Sequence, residues 1–106
     1  MRPLDAVGVM PEANELIHQT VRLHVMAALT ALPPRDEGLD FTRLKKLTAA
    51  TDGNLGAHIE TLARAGYVEV QKRFEARRPK TIVKATAVGR KEFAAHVAFL
   101  RGVIGE

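Results

Sequence analysis

The sequence predicts a mainly α domain with a small β-hairpin, its elements following one another in the order ααα–ββ–α. Along most of the chain apolar residues recur at intervals of three and four, the spacing of a helix with one buried stripe. Between residues 67 and 86 the pattern changes to alternation, the period of a strand, on both sides of a short basic turn. The length of 106 residues fits a single domain.

The first predicted helix runs from about Pro11 to Leu32 and follows a loose arm, residues 1–10, that has no apolar period. Its buried stripe repeats at three and four residues: Ile17, Val21, Val25, Ala28, Leu29 and Leu32. Three more apolar residues widen this stripe: Leu16, Leu23 and Met26. Two consecutive prolines then end the helix, because proline lacks the amide that a helix interior requires.

A second helix is predicted from Phe41 to Ala50, with Asp40 as its cap because a carboxylate accepts unpaired amides of the first turn. Leu39 and Phe41 are also compatible with a very short strand at this point. Two leucines of the helix are expected to face inward: Leu44 and Leu47. Two lysines are expected to face outward: Lys45 and Lys46.

The third helix is predicted to begin after Thr51, whose hydroxyl can cap it, and to end at Gly66, which suits the left-handed residue that closes many helices. Its inward residues follow at i, i+4 and i+7: Leu55, Ile59 and Leu62. Its outward face holds Gly53, Asn54, Ala57, Glu60, Thr61 and Arg64. Packed on the second helix, it completes a helix-turn-helix unit.

Two strands are predicted next, from Tyr67 to Phe74 and from Lys80 to Thr86. Val68 and Val70 alternate with polar residues, which predicts that the first strand is half buried. The turn between the strands, from Glu75 to Pro79, contains two adjacent arginines. The segment is therefore a hairpin with a cationic tip.

The last helix is predicted from Ala87 to about Val103, with Thr86 as its cap. One apolar stripe serves its own core: Phe93, Val97, Leu100 and Ile104. A second stripe lies beside the first, and apolar surface left in water favours association, so we expect a homodimer held by the first and last helices. The expected interface residues are Leu16, Leu23, His96, Phe99 and Val103.

Cationic residues are concentrated in the segment that contains the second helix, the third helix and the hairpin. Residues 42–91 contain twelve Lys and Arg against four Asp and Glu, a balance of +8, whereas residues 1–41 have a balance of −3. This asymmetry predicts a polyanionic partner for the segment, with a solvated basic surface as the alternative. A helix with a polar outer face, followed by a hairpin with a cationic tip, is typical of a winged helix on DNA.

Individual side chains on this segment suit particular parts of a DNA duplex. Asn54 suits adenine in the major groove, and Arg64 suits phosphate, with Glu60 expected to orient a neighbouring cation. Arg77 and Arg78 at the hairpin turn suit phosphates or a narrow minor groove. The expected DNA-contacting residues are Lys45, Lys46, Thr51, Asp52, Gly53, Asn54, Ala57, Thr61, Arg64, Lys72, Arg77, Arg78 and Lys80.

Other classes of protein lack support in the sequence. There is no cysteine, which excludes disulfides, thiolate metal sites and cysteine nucleophiles, and His18 and His24 are out of alignment as co-ligands on a helix. His58 is expected to pack beside the core stripe. No Ser/His/Asp spacing, carboxylate pair or Gly-rich phosphate loop indicates an enzyme or a cofactor. No apolar run approaches the roughly 20 residues of a membrane span and no signal peptide is visible, so a cytoplasmic protein is expected.

Several short stretches carry a family resemblance by their order and spacing: residues 16–18, 22–23, 41–44, 51–55, 62–68, 74–81 and 86–90. Together they resemble the single-domain winged-helix transcriptional regulators related to the MarR and ArsR families, over about residues 14–104. The resemblance implies sequence-specific binding of double-stranded DNA by a homodimer that controls transcription. Gly56 and Ala57 depart from the pattern, because relatives often carry Ser and a larger polar residue there.

A second interpretation is a winged-helix protein–protein adaptor in a larger complex, in which the basic hairpin meets an acidic protein surface. The adjacent arginines and the cationic second helix favour DNA over this adaptor. An adaptor would more readily tolerate acidic residues in the hairpin.

Overall fold

The computed structural model describes residues 12–106, so the predicted arm and the predicted first residue of the first helix, Pro11, lie outside it. Four helices and one three-stranded antiparallel sheet confirm the predicted fold class. In chain order they are α1 (Thr20–Thr30), β1 (Leu39–Asp40), α2 (Phe41–Thr48), α3 (Asp52–Arg64), β2 (Val68–Glu75), β3 (Arg78–Ala85) and α4 (Ala87–Val103). None of the described helices is long and apolar enough to cross a membrane.

The first helix is shorter than predicted, because α1 begins at Thr20. Residues 15–17 form a turn, in which the Ile17 amide donates to both the backbone and the side-chain oxygen of Asn14. The Gln19 side chain then caps α1 by accepting from the Arg22 amide at 2.9 Å. Asparagine thus supplies local hydrogen bonds that compete with a helix. Ile17 is nevertheless fully buried, as its apolar character predicted. The prediction that it belongs to the first helix was wrong.

The core lies between the helices and the inner face of the sheet. Its fully buried hydrophobic side chains are Ile17, Val25, Met26, Leu29, Leu44, Leu55, Leu62 and Val83. The predictions that Leu47 and Ile104 face the core were wrong. Leu47 of α2 is 51% exposed, and Ile104, just past α4, is 67% exposed. In α2 the buried pair is instead Leu44 and Thr48, four residues apart, and the helix ends at once in the left-handed residue Ala49.

Both ends of α3 have the geometry predicted from the sequence. The Thr51 hydroxyl caps the start of the helix by accepting from the Asn54 amide at 3.2 Å, and Asp40 caps α2 in the same way. Gly66 is left-handed, with φ of +82°, and the Tyr67 amide donates back to the Leu62 carbonyl at 3.0 Å. This long return bond is that of a Schellman motif, which directs the chain straight into β2.

Thr86 joins the start of α4 to the end of α3. Its amide donates to the Tyr67 carbonyl at 3.0 Å and its hydroxyl donates to the Gly66 carbonyl at 2.6 Å. The same hydroxyl accepts from the Gly89 amide at 2.9 Å and so caps α4, as predicted. At Gly89 the two backbones are so close that a Cβ would collide with the Tyr67 carbonyl. We call this meeting of residues 66–67 with residues 86–89 the α3–α4 junction.

The hairpin of β2 and β3, hereafter the wing, is longer and its turn tighter than predicted. Glu75 pairs with Arg78, which leaves only Ala76 and Arg77 in the turn. Both of these have positive φ, 49° and 64°, as a type I′ hairpin turn requires. Pro79 fits the strand because it pairs with Phe74, the second pair from the turn, which exchanges no hydrogen bonds, and because β1 covers β3 only at Ile82 and Val83.

One face of the wing continues from the core toward the tip. Pairing in the order β1–β3–β2 leaves β2 at the edge, and alternation puts Val68, Val70, Lys72 and Phe74 on the same face. Exposure along this face rises from 3% at Val68 through 40% at Val70 to 72% at Phe74. The wing therefore leaves the core gradually and carries apolar side chains into solvent.

We expect Gly89→Ala to destabilise the fold by about 1–3 kcal/mol, because the new methyl group overpacks the α3–α4 junction. Gly102→Ala is the matched control in the same helix: nothing lies within 4 Å of its Cβ position. It should be stabilising by up to about 1 kcal/mol through helix propensity alone. Urea unfolding followed by circular dichroism measures both, and equal effects of the two substitutions would contradict the role given to the junction.

Candidate nucleic-acid interface

The residues that the sequence predicts to contact DNA lie on α2, the outer face of α3 and the wing. Twelve of these thirteen side chains are exposed, and the other, Thr61, is half buried, so the set forms surface rather than core. The Thr61 hydroxyl donates to the Ala57 carbonyl at 3.1 Å and is therefore engaged by its own helix. The Thr51 hydroxyl is likewise engaged as the cap of α3.

The outer face of α3 presents few side chains. Asn54 is exposed, and its carboxamide has no hydrogen-bond partner among residues 12–106. Nothing lies within 4 Å of the Cβ positions of Gly53 and Gly56, and Ala57 adds only a methyl group. The face thus combines one free amide with a smooth helix surface that a broad partner can approach closely.

Ion pairs hold several of the cations in place. Glu60 lies 3.4 Å from Arg64 one helical turn later, which confirms the cation predicted beside that carboxylate. Lys45 lies 2.7 Å from Asp52, a pair that joins the end of α2 to the start of α3 and that sequence reasoning missed. Exposed pairs of this kind contribute at most about 1 kcal/mol, so their value here is orientation.

A groove of about 490 Å³ separates α2 from the wing tip. Four of its lining residues are cationic: Arg43, Lys46, Arg78 and Lys80. Two carboxylates also line it, and both are engaged, Asp40 as the cap of α2 and Glu75 at 3.4 Å from Lys80. Its net positive charge suits phosphate. Sequence reasoning missed Arg43, although its outward position three residues before Lys46 was a readable signal.

A second groove, of about 400 Å³, lies between α3 and the inner face of the wing; we call it the helix–wing groove. Its lining is mostly small or apolar, with a few charged residues at the rim. The residues that line it are Phe41, Gly56, Ile59, Glu60, Ala63, Val70, Lys72 and Thr81. No motif in the sequence indicated this groove, because it arises only when α3 and the wing are brought side by side.

The outer face of the wing is occupied by a local polar network. Arg73 donates to Glu37 at 3.0 Å, to Glu75 at 3.5 Å and to the side-chain oxygen of Gln71. The hydrogen bond to the Glu37 carboxylate raises the pKa of Arg73 above its ordinary value. Arg73 was not among the expected DNA-contacting residues, and these contacts tie it to the protein itself.

His58 connects α3 to α1 through a hydrogen bond. Arg22 donates to its Nδ1 at 2.9 Å, and because arginine only donates, His58 accepts as the neutral imidazole. Burial, and then the charge of Arg22, lower the pKa of His58 below its ordinary value. The side chain packs beside the core stripe, as predicted, and in addition links α3 to α1.

His96 is fully buried and uses both ring nitrogens within the protomer. The Asn14 amide donates to its Nδ1 at 3.0 Å, so its Nε2 carries the proton and faces Nδ1 of His18 at 3.4 Å. Burial and the neighbouring His18 lower the pKa of His96, against a smaller opposing effect of Glu15. Both nitrogens through which His96 could bind a metal are thus engaged within the protein, Nδ1 by Asn14 and Nε2 by His18.

The residues expected at a dimer interface do not form one surface. Leu16 and Leu23 are half buried and pack against the core of their own protomer. His96 is inside the protomer, and Phe99 stacks on its ring with a centroid distance of 5.7 Å, which leaves a partner no access to His96. Val103, in contrast, is 67% exposed. The most exposed apolar side chains of α4 therefore lie at its C-terminal end, and Val88 is exposed separately in its first turn.

Comparison with known proteins agrees with this geometry. Residues 21–104 match the family model described as a winged helix DNA-binding domain. An uncharacterized protein of Methanocaldococcus jannaschii is 35% identical over 83 residues, which cover 78% of this chain and 86% of that protein. The solved structure of the transcriptional regulator homologue protein from Pyrococcus horikoshii OT3 has a TM-score of 0.75 and 34% identity, with 87% of each chain covered. The chain therefore belongs to the winged helix DNA-binding domain family.

Proposed function

We propose that the protein is a transcriptional regulator that binds double-stranded DNA sequence-specifically as a homodimer. The observation that carries the proposal is the cationic groove between α2 and the wing tip, next to the exposed outer face of α3, on a winged-helix DNA-binding domain. The similar protein from Pyrococcus horikoshii, described as a transcriptional regulator homologue, supports a role in transcription.

In the proposed complex α3 lies in the major groove, which is wide enough to admit one helix. Asn54 has a free carboxamide at the start of this helix and pairs with an adenine. Gly53 and Ala57 let the helix approach the base edges closely. Few side chains read bases, so much of the affinity comes from the phosphates.

The wing and α2 supply the phosphate contacts. Arg77 in the two-residue turn and Arg78 at the start of β3 contact the DNA backbone or the adjacent minor groove. The short turn leaves little conformational freedom at the tip. The groove between α2 and the wing is lined by Arg43, Lys46 and Lys80. In the proposed complex these side chains contact phosphates of the same DNA strand. These contacts fix the register of α3 on the duplex without reading sequence themselves.

The dimer is proposed to form through the C-terminal end of α4. Val103 and Ile104 are each 67% exposed, and Phe99 lies one turn before Val103 with part of its ring accessible. Adjacent apolar side chains at a helix end favour association with a second copy. A twofold arrangement would set two α3 helices about one DNA turn apart and double the length of sequence read.

Substitutions at Asn54 and at the wing arginines should reduce the affinity for DNA in different ways. Asn54→Ala should cost roughly 1–3 kcal/mol on a site selected from a random duplex library, and little on random DNA. Arg77→Ala combined with Arg78→Ala should weaken both duplexes alike, and Arg101→Ala, at an exposed position on α4, is the control for loss of an arginine outside the proposed interface. Fluorescence anisotropy measures all three, and equal losses of Asn54→Ala on both duplexes would show that Asn54 reads no base.

Val103→Glu should convert the dimer to a monomer, because it puts a charge into an apolar contact. Val88→Glu, at a 55% exposed position in the first turn of the same helix, is the matched control and should remain dimeric. Sedimentation velocity at micromolar concentration distinguishes the two states. Unmodified protein that already sediments as a monomer under these conditions would refute the dimer, and DNA would then be read by single sites.

A further inference from the structure

We propose that Phe74 and Val70 of the wing pack on the deoxyriboses of one DNA strand, which runs along the helix–wing groove with Lys72 on its phosphate. The inference rests on the proposed DNA-binding function and adds to it an apolar contact that reads the shape of the strand. Phe74 belongs neither to the basic residues expected at the interface nor to the core.

Phe74 is the most exposed large hydrophobic side chain of residues 12–106, at 72%. It faces Pro79 on the paired strand, one pair away from the turn, so an apolar pair stands directly behind the arginine tip. Val70, 40% exposed, lies on the same face of β2 nearer the core. The two side chains form an exposed apolar line along one face of the wing, with Lys72 between them.

This line continues the floor of the helix–wing groove. Val70 and Lys72 line the groove from the wing, and Gly56, Ala63 and Glu60 line it from α3, where the Glu60 carboxylate is paired with Arg64 at 3.4 Å. A Cβ at Gly56 would meet nothing within 4 Å, so the α3 side of the groove is open. The groove therefore accepts an elongated partner that has apolar patches and a negative charge at intervals.

A DNA strand has this chemistry and would pass through this position. When a helix occupies the major groove and a hairpin tip reaches the adjacent minor groove, the sugar–phosphate strand that separates the two grooves lies between them. Its deoxyriboses offer apolar C–H surface to Val70 and Phe74, and its phosphates offer charge to Lys72. The small residues Gly56 and Ala57, a departure from the expected family pattern, then let the strand approach α3.

The cations around Phe74 favour a nucleic-acid strand over an apolar protein surface. Single exposed apolar residues are common, but this one is bordered by Lys72, Arg77 and Arg78. An apolar protein surface covering Phe74 would strip water from these charges without replacing it, which is costly. A polyanion pairs with the same charges while its sugars cover the ring.

The test is the affinity for a random-sequence duplex, measured by fluorescence anisotropy across a salt series. Phe74→Ser should weaken binding roughly tenfold at every salt concentration, the scale of burying one large apolar side chain. The slope of log affinity against log salt should stay unchanged, because no phosphate contact is lost. Phe74→Leu should retain most of the affinity, since it restores an apolar side chain.

Val88→Ser is the matched control. Val88 is an exposed apolar residue in the first turn of α4, just after the wing ends, and this variant should bind DNA like the unmodified protein. Phe74→Ser with unmodified affinity, with a smaller salt slope, or with a changed sedimentation coefficient would overturn the proposal; the last would identify a protein contact. A Leu variant as weak as the Ser variant would also contradict an apolar contact. If the unmodified protein binds no duplex at any salt concentration, the proposed function itself fails, and this contact with it.

Discussion

The structure depends on the α3–α4 junction, where two pieces of backbone meet with only the Thr86 side chain between them. The carbonyls of Gly66 and Tyr67, at the exit of α3, accept hydrogen bonds from the hydroxyl and the amide of Thr86. Gly89 completes the contact because any larger residue would collide with the Tyr67 carbonyl. Four elements meet here, since α3 ends, β2 begins, β3 ends and α4 begins within a few residues. Their relative directions are therefore set by the hydrogen bonds that Thr86 donates to the backbone of residues 66 and 67.

This constraint explains how a small domain presents a shaped surface to DNA. Helix α3 and the wing leave the same junction, so the angle between them is fixed before any partner binds. Pre-organisation of this kind lowers the entropy lost on binding. The wing then projects from its buried base at Val68 to its exposed tip, where the charge is carried. The helix–wing groove and the groove beside α2 are both consequences of that fixed angle.

Local chemistry made most of the fold readable from the sequence. Thr51, Asp40 and Thr86 cap helices as predicted, since capping depends on one side chain and the amides that follow it. Gly66 is left-handed as predicted, for a reason equally local. The apolar stripe of α3 is buried because its period of three and four fits one helix face.

The predictions that were wrong concern contacts between residues that are distant in the chain. Apolar spacing before residue 20 suggested helix, yet Asn14 folds back into a turn and binds Tyr67 and Glu92, more than fifty positions away. His96 appeared to belong to an outer stripe of α4, but the amide of Asn14 supplies the partner that lets it be fully buried. Likewise, Ala76 and Arg77 are not residues that favour positive φ, so the tight wing turn is imposed by the strand pairing on both sides.

The central claim is that the surface of α2, α3 and the wing binds the phosphates of duplex DNA. The dissociation constant measured against salt concentration tests it most directly. Between about 50 and 200 mM salt, we expect the affinity to fall on the order of a thousandfold, because several phosphates release their counterions when the protein binds. An affinity that stays flat across this range would contradict the claim. It would favour a protein–protein adaptor, whose partner is an acidic protein surface.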